Sequence, residues 1–133
     1  MLRLSKSTDY GLMAMRRLAL LPTGACRSAR EIASEHRIPP ALMAKLLQRL
    51  ARKGLVASHH GTKGGYRIAR PATKISLREV IEAIEGPMAV LECLDPCKGD
   101  CPQEECCTVR TPLHRVQRRI MEELGRTTIW DLR

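Results

Sequence analysis

A mainly α-helical fold carrying one small β-hairpin is predicted by three observations. Apolar residues recur at helical spacing in five separate segments, helix-start signals precede several of them, and one short strand-like stretch is turned back by a glycine-rich loop. At 133 residues the chain suits a single domain with an appendage and is short for a barrel or a doubly wound sheet.

The first helix is read from Thr8 onward, where Tyr10, Met13, Leu18 and Leu21 recur near helical spacing until Pro22 stops the segment. Gly11 is a mild weakness within it. Pro22, Thr23 and Gly24 form a turn. Ser28-Ala-Arg-Glu31 has the form of a capping box, in which serine and glutamate satisfy free amides, and a short second helix follows to about His36. Pro39 and Pro40 open a third helix, since a proline in the first turn forfeits no hydrogen bond, and Gly54 ends it. Met43, Leu46, Leu47 and Leu50 form its apolar stripe, while Ala41, Ala44, Lys45, Gln48 and Arg52 face the other way. Leu55 to His59 reads as a strand, Gly61 to Gly65 as a tight loop and Tyr66 to Ala69 as the returning strand. A second capping box, Ser76-Leu-Arg-Glu79, opens a helix that Gly86 and Pro87 close. Five cysteines then crowd a loop, and Pro112 starts a last helix with Leu113, Val116, Ile120 and Leu124 on one seam before Gly125. The expected division is 1–86, 87–111 and 112–133: a helical domain with its hairpin, a cysteine-rich loop, and a long dimerisation helix with its tail.

Charge divides the chain more sharply than its net +9 suggests. Residues 1–78 hold sixteen Lys and Arg against Asp9, Glu31 and Glu35, whereas residues 79–133 hold seven against eleven acids. A positive field of this density attracts phosphates and releases their counterions. No apolar run is long enough to span a membrane, no basic amphipathic helix carries bulky anchors, and the start lacks a secretory leader's pattern; a cytoplasmic chain without a membrane partner is expected. The three aromatics, Tyr10, Tyr66 and Trp130, are too few for the stacking platforms of single-stranded nucleic-acid binders.

Three short helices followed by a hairpin is the order of a winged helix-turn-helix, whose mechanics suit double-stranded DNA. A helix enters the major groove when its outward side chains are short or donate to base edges, as Ala41, Ala44, Lys45 and Gln48 do, with Arg52 on the same side. The hairpin tip places His59, His60, Lys63 and Arg67 around Gly61, Gly64 and Gly65, suited to a phosphate backbone or the minor groove. The glycines equally fit a wide turn, and the histidines equally fit solvated strand positions.

The opening Leu2-Arg-Leu-Ser-Lys-Ser-Thr-Asp-Tyr10, the stretch Ile38-Pro-Pro-Ala-Leu-Met-Ala-Lys-Leu-Leu-Gln-Arg-Leu-Ala-Arg-Lys-Gly-Leu-Val56 and Gly61-Thr-Lys-Gly-Gly-Tyr-Arg67 resemble the IscR/NsrR-type bacterial repressors, the Rrf-two family. The likeness runs along nearly the whole chain and is greatest to the regulators of SUF iron–sulfur assembly. It implies a homodimer that reads a palindromic operator, and a loop that reports iron–sulfur or redox status.

Cys93, Cys97, Cys101, Cys106 and Cys107 fall within fifteen positions. Without a secretory leader a disulfide framework is disfavoured, and zinc knuckles usually carry two Cys-x-x-Cys pairs, which this loop lacks. Soft thiolates on an irregular loop suit an iron–sulfur cluster, either [2Fe–2S] or [4Fe–4S]. Cys93 to Cys101 nearly mimics the Cys-x₃-Cys-x₂-Cys of radical enzymes, but the last gap is one residue too long and the chain too short for their barrel, which weighs against an enzyme. The resemblance implies three cysteine ligands, best met by Cys93, Cys101 and Cys107, with Cys97 and Cys106 as substitutes. Where relatives carry a histidine ligand three positions after the last cysteine this chain has Arg110, which offers no lone pair. Asp9 is the fourth ligand that the resemblance to the NsrR branch implies, reaching the partner subunit's cluster; the alternative is an acid that complements the dipole of the first helix. Cys26 reads as a packing residue, His36 and His114 as surface residues, and Met13, Met15 and Met43 as core filling. Two further readings stay open: a zinc-stabilised DNA-binding or scaffold protein, and a metal-free thiol switch.

Overall fold

The computed structural model describes residues 3–133, so Leu2 of the opening motif lies outside the described residues. Among the described residues there are five α-helices: α1 (Lys6–Ala19), α2 (Ala29–His36), α3 (Pro40–Arg52), α4 (Leu77–Glu85) and α5 (Arg110–Arg126). One antiparallel hairpin, β1 (Val56–His59) and β2 (Gly65–Ile68), stands between α3 and α4, with Val56 opposite Ile68 and His59 opposite Gly65. This is the mainly helical winged fold that the periodicities predict.

Boundaries shift where a cap or a distant partner competes with the local signal. α1 starts at Lys6 because Ser5 caps it, its Oγ accepting the Thr8 N–H at 3.2 Å. At Ser28 only half of the expected capping box forms: Ser28 Oγ accepts the Glu31 N–H, while the Glu31 carboxylate takes the Arg27 guanidinium at 3.2 Å. At Ser76 both halves are present. α5 begins at Arg110, with Pro112 still in the first turn where its missing N–H costs nothing, and runs through Gly125 to Arg126. Leu55 lies just before β1, its N–H donating to Leu50 O at 3.0 Å.

The core is the space between α1, α2, α3 and α4, filled by Met15, Leu18, Ile32, Met43, Leu46, Leu47, Leu50, Ile75 and Val80. Gly11 belongs to it, because a Cβ there would overlap Ile84 Cδ1 of α4; its low helix propensity is the cost of bringing the two helices together.

Two long-range pairings complete the body. Arg27 and Tyr66 exchange backbone hydrogen bonds at 2.9 and 2.7 Å, so the segment leading into α2 is bridged to the hairpin at this one antiparallel pair. Gly65 allows it: at φ 154° a Cβ would lie 2.5 Å from the Arg27 carbonyl. The tail after α5, grouped by sequence with the last helix, returns to the body. Leu77 N–H donates to Thr127 O, Ile129 N–H to Ile75 O, Arg16 Nε to Leu132 O at 2.7 Å, and Ile129 is fully buried.

Candidate nucleic-acid interface and cysteine loop

The stripe of Met43, Leu46, Leu47 and Leu50 is buried, and this turns Ala41, Lys45, Gln48 and Arg52 to solvent, with Ala44 half-buried among them. α3 packs against α1, α2, α4 and β1, which leaves that outer face as its open side. In the wing His59, His60 and Lys63 are exposed around the turn, and Arg67 is exposed on β2 opposite Ala57. Arg67 sits along the strand rather than at the tip, beside a cleft that also touches Trp130.

Where the acids lie decides which cations are free to meet phosphate. All three acids of the basic half are on α1 and α2. Glu35 takes Arg17 at 2.5 Å and lies 4.0 Å from Arg27, Glu31 pairs with Arg27, and Asp9 is 4.0 Å from Lys6. The hydrogen bond from Arg17 holds the Glu35 carboxyl below the usual glutamate value against the opposing effect of burial. Among the described residues Lys45, Arg52, Lys63 and Arg67 form no ion pair, so the outer face of α3 and the wing carry uncompensated charge, as do other exposed cations of the basic half such as Arg30, Arg37 and Lys74.

Three contacts that no local pattern signals hold this face to the start of the cysteine loop. Arg49 Nη1 of α3 donates to Ile84 O at 3.0 Å. Beside it, Glu85 Oε1 accepts the Ser5 N–H at 2.8 Å and the buried Thr8 Oγ1–H at 2.5 Å, tying the end of α4 to the start of α1. Burial raises the Glu85 pKa, but the hydrogen bonds from Ser5 and Thr8 outweigh it and hold the carboxyl below its ordinary value. Gly86 and Pro87 then lead directly into the loop.

All five loop cysteines are unpaired thiols: Cys93, Cys101 and Cys107 half-buried, Cys97 and Cys106 exposed. Cys93 sits in the turn Glu92–Leu94 and Cys106 in Glu104–Cys106, its Sγ–H donating to Gln103 O at 3.5 Å. The donor set fits a cluster or a soft metal, since five solvent-reached thiols share one loop. Their arrangement is open, with no three His, Cys, Asp or Glu side chains converging as metal ligands among the described residues. Arg110 is paired with Glu104. Asp9 lies in the first turn of α1, its side chain 47% exposed, and is not gathered with the cysteines of its own chain. Cys26 is half-buried beside the Arg27–Tyr66 bridge, and His114 is exposed on α5.

A winged helix-turn-helix with exposed basic residues on the outer face of α3 and on the wing defines a class, the DNA-binding regulators. Within it, the chain belongs to the Rrf2 family: the family profile, described as an iron-dependent transcriptional regulator, matches residues 4–133. It is 35% identical over 132 residues to Rv1287 of Mycobacterium tuberculosis, a candidate HTH-type transcriptional regulator, covering 98% of this chain and 81% of that protein. The fold is similar to CymR, the global cysteine regulator of B. subtilis, with a TM-score of 0.77 and 28% identity over 99% of this chain and 96% of that one. It is likewise similar to IscR of T. potens, with a TM-score of 0.76 and 27% identity over 98% and 85% of the two chains. No helix among the described residues is long and apolar enough to cross a membrane.

Proposed function

We propose that this regulator is a cytoplasmic repressor that reads a palindromic operator as a homodimer, and that its loop holds an iron–sulfur cluster whose state sets DNA affinity, with iron–sulfur assembly genes as its targets. The observation that carries the reading is the junction at the end of α4: the same two residues, Ile84 and Glu85, that precede the five-thiol loop also hold α3 and α1. Cys93, Cys101 and Cys107 would hold the cluster, with Cys97 and Cys106 as substitutes and Asp9 of the partner subunit as fourth ligand. A cluster bound there supplies an iron centre that oxygen, reductants or iron shortage can alter or remove.

The chain's own residues relay the change. Closing or releasing the loop moves its attachment at Gly86, and the Arg49 and Glu85 contacts carry that movement to the recognition helix and to α1. Val90, at the loop's start, donates its N–H to Gln117 Oε1 of α5 at 2.7 Å, so the loop also bears on the helix that carries the proposed dimer seam. That seam is part-exposed in the single chain, with Val116 44% exposed and Leu113, Ile120 and Leu124 half-buried.

A metal-free thiol switch is the second reading, favoured by the open placement of the five thiols. Anaerobically purified protein separates the two in one preparation. The cluster reading expects iron and sulfide with visible and paramagnetic signatures, and an affinity for selected duplex DNA that changes when the cluster is removed. Zinc without sulfide, or DNA binding governed by disulfide formation with no metal present, overturns it.

A further inference from the structure

A cleft of about 640 Å³ lies between the end of α1, the hairpin and the C-terminal tail, remote in sequence from the cysteine loop. Its size falls in the range of small-molecule sites. Leu21, Ala57, Ile68 and Trp130 are part of its apolar lining, one face of the Trp130 ring being covered by the Arg133 guanidinium, and two guanidiniums, Arg67 and Arg70, are the charged groups among the lining residues. No acid lines it. Arg70 is committed, donating to Glu79 Oε1 at 2.9 Å and Lys74 O at 3.3 Å. Arg67 makes neither ion pair nor side-chain hydrogen bond among the described residues and stands exposed at the edge.

An apolar trough with an uncompensated guanidinium fork at its rim is complementary to a ligand that is anionic at one end and apolar along its body. We infer that this cleft binds a small amphiphilic carboxylate, its oxygens on Arg67 and its hydrocarbon body against Ala57, Leu21 and Trp130. A guanidinium matches a carboxylate in bidentate geometry, and the apolar walls favour a ligand with a body to bury over a fully hydrated phosphate. Occupation engages the donors that Arg67 would otherwise offer to DNA. That consequence, unlike the binding itself, rests on the DNA reading of the wing.

The chain's single tryptophan lies in the wall and reports occupancy directly. The test is a titration of the full chain without DNA, followed by Trp130 emission, using octanoate, octanol, octylammonium and inorganic phosphate. A saturable response to octanoate is expected, with the other three at least about tenfold weaker, the scale of one hydrogen bond to a charged group. Arg67→Gln should weaken octanoate by a similar factor and Arg67→Lys by less, with the thermal melt of each variant checked for a parental fold. Octanol matching octanoate, phosphate matching octanoate, no saturable response, or an unaffected Arg67→Gln each overturns the proposal. Octanoate that binds but leaves duplex affinity unchanged supports the site and removes Arg67 from the DNA interface.

Discussion

Ile32, Leu47 and Val80 are fully buried in the helical body, whereas from Pro87 to Val109 no side chain is fully buried and no helix exceeds three residues. The two regions also differ in charge, the body being strongly basic and residues 87–109 holding five acids against Lys98 alone. Packing over-determines the body: its buried side chains form one cluster drawn from four helices and the hairpin, and removing one opens a cavity. Apart from the Val90 N–H on Gln117 of α5, the loop is held by short-range polar contacts such as Cys97 N–H on Asp95 Oδ1 at 2.9 Å, and by the exposed pair Lys98–Glu92 at 3.5 Å. Contacts of that kind are worth little individually, so the loop can change shape at low cost while the body cannot. On the proposed reading, the DNA-binding body stays rigid while the thiol loop is the part whose conformation is cheap to change.

The comparison breaks first on stability. Leu47→Ala should cost about 2–5 kcal/mol in a urea melt, as a cavity in a closed core does, while Pro96→Ala in the loop should stay within about 0.5 kcal/mol. Similar losses from both would mean that the loop is part of the cooperative core. The α5 seam gives the next largest effect. Val116→Asp with Ile120→Asp buries charge in any dimer interface, and sedimentation should show monomers whose operator affinity falls about a hundredfold or more through lost avidity. Tight, folded dimers from that variant would move the interface elsewhere.

Within the basic surface α3 and the wing should separate by kind of effect. Lys45→Ala is expected to cost about 1–3 kcal/mol at particular base pairs, since a base-edge hydrogen bond is sequence-specific. Lys63→Glu should weaken binding to every sequence alike and flatten the slope of log affinity against log salt by about one for each phosphate it no longer neutralises. Binding isotherms on matched and random duplexes, repeated across salt, decide between them. A small, pH-dependent effect is expected at Glu85. Its carboxyl is held below the usual glutamate pKa in the folded chain, so the ionised clamp contributes above the unfolded value and is lost as pH falls through the folded one. Glu85→Gln should cost under about 1 kcal/mol at neutral pH, given the solvent around the carboxylate, and the deficit should vanish in acid. A deficit independent of pH would assign the loss to packing instead.

Much of the body was legible in sequence because its signals are local. Met43, Leu46, Leu47 and Leu50 at three- and four-residue steps orient α3 without reference to any other element, and the serines at 28 and 76 mark helix starts from their own neighbours. The clustering of five cysteines needs only counting, and the resemblance carried by the third helix and the wing motif agrees with the family whose profile matches residues 4–133. The remaining features join residues far apart in the chain. Thr8 and Glu85 are separated by 77 positions and Arg16 and Leu132 by 116, and no periodicity relates such pairs. Gly11 looked like a weak point in a helix until Ile84 arrived against it, and Gly65 like turn chemistry until the Arg27 carbonyl arrived against it.

Sequence by itself therefore determined the elements, the buried stripe and hence the exposed face of α3, the separation of basic body from acidic thiol loop, and the presence of soft ligands. These follow from backbone propensity, side-chain period and composition, which act over a few residues. Tertiary structure alone decided that the acids of the basic half pair near α1 and α2 and leave Lys45 and Arg52 of α3 without ion pairs, that the tail returns Ile129 to the core, and that Ile84 and Glu85 join the loop to two helices. Those are contacts between surfaces that exist only once the helices have packed, when burial and hydrogen bonding select one partner among many that the chain offers.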